Sequence, residues 1–143
     1  MNTRMLLACL AAGVASFFIG WLVWGMLLAD TYAAGMNHFE GYDRPQDQMN
    51  MLAMALGNLG WGAITGYALW RMGVKSAMAG MVPGAIIAAL TAFSMDMMFL
   101  GMTHMFASHT IIIIDVVVNL VVGGILGAVA GWVLGMGGGK APA

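Results

Sequence analysis

The sequence predicts an all-α integral membrane protein, a bundle of four transmembrane helices with glycine-rich helix interfaces. Hydrophobic residues make up 62% of the 143 residues and charged residues only 8%, where soluble domains carry roughly 25% charge. Four apolar runs, at about 5–29, 49–70, 77–100 and 110–136, each supply the roughly 20 residues that cross a hydrocarbon core about 30 Å thick. Small residues recur in these runs at a spacing of four. That is the pattern by which helix backbones approach closely in lipid, where apolar side chains gain little from leaving their surroundings. Residues 1–136 read as a single membrane domain and 137–143, Gly-Gly-Gly-Lys-Ala-Pro-Ala, as a flexible cytoplasmic tail.

The first run follows Arg4, and Leu6-Leu7-Ala8-Cys9 loosely matches a lipoprotein cleavage box. A signal core is about 7 to 15 residues long, and this run continues well past that, so it is expected to remain as a span. Cys9 is the only cysteine; no disulfide or thiolate cluster can form within one chain, and a packing role follows. The small-residue row of this span is Ala8, Ala12, Ser16 and Gly20. The second span carries Gly62 and Gly66. The third carries Gly80 and Gly84, then Ala88 and Ala92, and its row runs on to Asp96. The fourth carries Gly123, Gly127, Gly131 and Gly135, a glycine zipper whose row extends backwards to Asn119 and Asp115. Residues 58–66 (NLGWGAITG) echo 119–127 (NLVVGGILG), which suggests two parallel two-helix hairpins.

Charge sets an orientation. Arg4, Arg71, Lys75 and Lys140 fall on one side if four helices alternate, and that side is expected to be cytoplasmic, with both termini. The segment from Thr31 to Gln48 on the other side carries Glu40, Asp43 and Asp47 against Arg44. A net charge of −1 leaves no basic footprint for nucleic acid. The expected partners are the bilayer and either further copies of the chain or a larger membrane complex.

On this topology every acid lies in the outer half. A carboxylate inside a span opposes insertion by roughly 2.5–3.5 kcal/mol at the centre and less near the interface, so Asp96 and Asp115 ask for a reason. One reading is a ligand, ion or proton site formed by Asp30, Asn58, Asp96, Asp115 and Asn119. The other is hydrogen-bonded glue between helices. A second constellation is Met95, Met98, Met102, Met105 and His109, which share a face if the third helix continues past Leu100; thioethers with imidazole suit copper(I). No cofactor is required by the pattern, and copper is the one it allows. Flexible methionine packing is the alternative, with 16 methionines spread along the chain. The tryptophans read mainly as interface anchors, with a chromophore or quinone pocket between Trp24, Trp61 and Phe93 as a lesser reading. No nucleophile elbow, zinc spacing or phosphate loop is present, so an enzyme is not expected.

Gly20-Trp21-Leu22-Val23-Trp24-Gly25 leading to Asp30, Gly57-Asn58-Leu59, Phe93-Ser94-Met95-Asp96-Met97-Met98, and Asp115-Val116-Val117 before the Gly123–Gly135 row together resemble a family of small bacterial four-span membrane proteins described only as a domain of unknown function. The resemblance implies a bacterial inner-membrane protein with its N-terminus inside, and brings no assigned site residues. The function expected from the glycine rows is that of an oligomeric or complex-associated accessory or scaffold subunit. A small transporter or ion-binding protein is the first alternative and copper handling the second.

Overall fold

The computed structural model describes residues 2–42 and 44–136. Asp43 and the expected tail, 137–143 with Lys140, lie outside the described residues. Among the described residues the chain is all-α, with no sheet: α1 (Thr3–Leu22), a π-helical turn (Val23–Leu27), α2 (Ala29–Gly35), α3 (Met51–Arg71), α4 (Ala77–Met102) and α5 (His109–Gly135). Three helices are long and apolar enough to cross a membrane: Thr3–Leu27, α4 and α5. The predicted second span, α3, has 21 residues but is the least apolar of the long helices, diluted by Asn58 and four glycines.

Local chemistry marks each boundary. The side chains of Asn2, Asn50, Ser76 and Ser108 accept hydrogen bonds from the first turns of α1, α3, α4 and α5, satisfying donors that a helix start leaves orphaned. After α3, Gly73 takes φ +73° and Val74 N–H reaches back to the Leu69 carbonyl at 3.1 Å. That six-to-one bond closes the helix and turns the chain, a geometry glycine adopts without strain. The first predicted span ends differently from expectation. Leu28 N–H bonds Val23 O at 2.8 Å, a π-type step, and Leu28 at φ −116° separates it from α2. Asp30 therefore opens a second short helix instead of finishing the span.

The helices pair as two hairpins, α1 against α3 and α4 against α5, joined chiefly where α1 lies on α5. Glycine makes both pairings possible. A methyl group on Gly62 would overlap the backbone of Gly13 and Cys9, and one on Gly66 would sit 2.7 Å from Cys9 Cα. In the second hairpin Gly80 and Gly84 lie against Gly127 and Gly123, and a methyl group on Gly84 would sit 2.6 Å from Gly127 Cα. Gly131 and Gly135 instead abut the carbonyls of Ser76 and Lys75 in the α3–α4 connection. On α1 Gly13, outside the predicted row, packs tightly on α3: a carbon added there would lie 2.9 Å from Leu59 Cα, whereas one on Gly20 would come no nearer than 3.9 Å to a neighbour. The echoed segments thus do the same work in both hairpins. Asn58 and Asn119 each donate a side-chain N–H to the carbonyl four residues earlier, at 2.9 and 3.0 Å.

The bundle is tight at the Arg71 end and open at the α2 end. Ala8, Ala12, Leu69, Ala130 and Leu134 form a buried cluster backed by Trp70, Val74 and Val133. Toward the other end Trp24, Trp61 and Phe99 replace such small residues and line a cavity between the helices. There α2 covers α5: a methyl group on Gly35 would meet Ile111 Cβ at 2.7 Å. The segment after α2 is joined to the α4–α5 loop by Asn37 N–H to Met105 O at 2.7 Å and Ala107 N–H to Gly35 O at 2.9 Å.

Candidate functional site

The cavity, about 470 Å³, is lined by Ser16, Gly20 and Trp24 from the first segment, Asn58 and Trp61 from α3, five residues of α4 from Thr91 to Phe99, and Asp115, Asn119 and Val122 of α5. It forms where α3 and α4, which scarcely touch, diverge. Its polar groups differ in how well they are satisfied, and that difference is the chemistry of the site.

Asp115 has both carboxylate oxygens hydrogen-bonded. Its Oδ1 accepts from Trp24 Nε1 at 3.3 Å and from the Tyr32 hydroxyl, and its Oδ2 accepts from Asn119 Nδ2 at 2.8 Å. The π turn aims Trp24 and α2 delivers Tyr32; π turns inside α-helices concentrate at functional positions. Burial, reinforced by the Asp115 carboxylate that accepts its proton, pushes the Tyr32 phenol above its ordinary range, so it stays a donor at neutral pH. Asn58 is also occupied, with Oδ1 accepting from Ser16 Oγ at 2.7 Å. These bonds tie α1 to α3 and the α1–α2 junction to α5. Removing the Tyr32 hydroxyl (Tyr32→Phe) is expected to cost about 1 kcal/mol, the scale of an interhelical hydrogen bond in membranes, measured by reversible denaturation in detergent micelles.

Asp96 is the exception. It is 8% exposed, lines the cavity, and its Oδ2 has no hydrogen-bond partner among the described residues. A buried carboxylate oxygen left unpaired is costly, and Asp96 belongs to a cavity whose described lining includes no Lys, Arg or His.

Of the predicted site residues, the fold therefore brings Asn58, Asp96, Asp115 and Asn119 together. Asp30 stands apart, exposed in the first turn of α2 and outside the lining. A tyrosine beyond the apolar run carries no pattern of its own, so nothing in the sequence marks Tyr32, and the sequence marks Ser16 only as a packing residue. Trp24 and Trp61 share the cavity, but Phe93 lines a separate apolar groove with His109 and Val117, so the expected three-residue pocket does not form. Trp21 and Trp132 are exposed on the helix surface, as anchors would be.

The Met–His row is divided by the end of α4. Met95, Met98 and Met102 lie on α4, all exposed. Thr103 turns to extended backbone, Met105 sits in the loop with its sulfur accepting from the Tyr42 hydroxyl at 3.4 Å, and His109 begins α5. Gly101 is followed by only one more helical residue, so the face needed to present all five does not extend that far. No family model, no curated protein and no solved structure matches this chain.

Proposed function

We propose that the protein is a non-enzymatic, multi-pass protein of a bacterial inner membrane that binds a small cation in the outer cavity, with Asp96 as the counter-charge. The observation that carries this reading is the Asp96 carboxylate, nearly buried and without a hydrogen bond among the described residues, in the same cavity as an Asp115 whose two oxygens are both engaged. One acid is engaged as interhelical glue, while the other has no hydrogen bond among the described residues. Helices in lipid tolerate such an acid where it serves a ligand or an ion.

The four-span topology draws on α3 as well as on the three more apolar helices. Its 21 residues reach about 31 Å at 1.5 Å per residue, close to the hydrocarbon thickness. Its pairing with α1 along that length supplies a partner for its polar face. Arg4, Arg71 and Lys75 gather at the tight end, and the positive-inside rule then directs the cavity outward. The family resemblance noted from the sequence agrees with this placement. Non-enzymatic action is supported by the cavity hydroxyl of Ser16, which donates to an amide oxygen and not to a base.

Assembly into oligomers or larger complexes has less to rest on than the glycine rows suggest. All eight predicted packing glycines, from Gly62 to Gly135, are met by neighbours within the chain; Gly57 and Gly60 on α3 remain open. The cation reading is tested by calorimetric titration of purified protein in nanodiscs with a panel of inorganic and organic cations. At least one is expected to bind saturably, and Asp96→Asn is expected to weaken it at least tenfold with helix content and melting unchanged or improved. Saturable binding by none, or equal binding by the variant, would end the proposal.

A further inference from the structure

We infer that the cation is organic and monovalent, an ammonium with an apolar body whose charge sits at Asp96 and whose body lies against the wall formed by Trp24, Trp61 and Phe99. This rests on the cation-binding reading above and narrows its ligand class.

Three features of the cavity point this way. The first is charge. Asp115 has both oxygens engaged by the neutral donors Trp24, Tyr32 and Asn119, while Asp96 has no hydrogen bond among the described residues, so Asp96 is the carboxylate left to pair directly with one cationic group. The second is the donor set. Calcium takes 6–8 oxygen ligands and magnesium a near-ideal octahedron. Among the described residues no group of three or more His, Cys, Asp and Glu side chains gathers, and the Asn58 oxygen already accepts from Ser16. The cavity's described side-chain oxygens with no hydrogen bond reduce to those of Asp96 and Asn119, fewer than the roughly 6–8 oxygens a calcium ion takes. The third is size and wall chemistry. At about 470 Å³ the cavity lies within the range of small-molecule pockets, roughly 300–1,000 Å³. Its walls include Trp24, Trp61, Phe99 and Met95. Aromatic faces attract an ammonium through the ring quadrupole, and an organic cation sheds less hydration on entering than a metal ion does.

The test uses the full chain in nanodiscs, titrated with benzyltrimethylammonium and, separately, with sodium, potassium and calcium at constant ionic strength. Benzyltrimethylammonium is expected to bind one per chain, with the inorganic ions far weaker. Asp96→Asn should lower its affinity at least tenfold. Trp61→Leu should lower it about 2- to 30-fold, the range of a cation–π contact, and Trp61→Phe should recover most of that loss. Trp132→Leu, on the exposed surface, should change nothing. Melting curves run alongside separate lost affinity from lost fold, and Phe99→Leu serves as the second wall variant should Trp61→Leu not fold. Asp96-dependent binding of sodium, potassium or calcium with none of benzyltrimethylammonium would overturn the organic ligand while leaving cation binding intact. Binding of benzyltrimethylammonium that neither wall variant weakens would overturn the aromatic contact. Binding of no cation would remove both readings together.

Discussion

Asp115→Leu is expected to lower stability by about 3 kcal/mol, whereas the same substitution at Asp96 raises it by about 1–3 kcal/mol. The two acids lie in the same cavity and differ in their partners. Leucine at 115 removes three hydrogen bonds at once: it strands the Trp24 indole and the Tyr32 hydroxyl, and it takes one of the two acceptors of the Asn119 amide, which keeps only the Asp115 carbonyl. Each buried donor left unpaired costs on the order of 1–3 kcal/mol, moderated in membranes to around 1 per bond. Leucine at 96 strands nothing, since the Asp96 Oδ2 has no partner among the described residues, and it removes a carboxylate whose place in a span is itself unfavourable. Reversible unfolding of both variants in bicelles checks the opposite signs. Equal destabilisation by the two would mean that Asp96 is structural glue after all.

Gly127→Leu is expected to part α4 from α5, destabilising the protein by about 3 kcal/mol or more. A carbon added to Gly127 would overlap the Gly80 carbonyl and lie 2.9 Å from Gly84 Cα. Both neighbours are backbone, which yields only if the helices separate, so the cost sits at or above the usual 1–3 kcal/mol of overpacking. Gly60→Leu is the control. Nothing lies within 4 Å of a carbon added there, and leucine exceeds glycine in helix propensity by about 0.5–1 kcal/mol, so this variant should be neutral or slightly stabilised. Denaturant midpoints for the pair, with a cross-link between α4 and α5 as a direct probe of their contact, measure the difference.

The long helices were legible because length and apolarity act locally. Asn50, Ser76 and Ser108 cap where runs of apolar residues begin, and Gly73 turns the chain where one ends. The glycine rows were legible as packing faces, since a spacing of four in lipid has few other uses. Which face each met was not. Gly131 and Gly135 look identical in sequence to Gly123 and Gly127, yet they receive the α3–α4 connection and not a second glycine row. The interruption after Leu22 was hidden too, since residues 23–27 are as apolar as those before them, and the choice of a π turn depends on where Trp24 and Tyr32 find an acceptor.

The sequence by itself determined the apolar helices, the glycine contacts that let them approach, and the two intramembrane acids worth asking about, because each of these follows from residue type and spacing along one helix. Only the tertiary structure decided that Asp30 leaves the site, that Tyr32 and Trp24 join it, and that Asp115 is satisfied while Asp96 is not. Hydrogen-bond satisfaction depends on donors brought from other helices. Trp24 lies 91 positions from Asp115 and Ser16 lies 42 from Asn58, and in neither case does the sequence announce the partner; a carboxylate with three donors and one with an unpaired oxygen are the same letter in the chain.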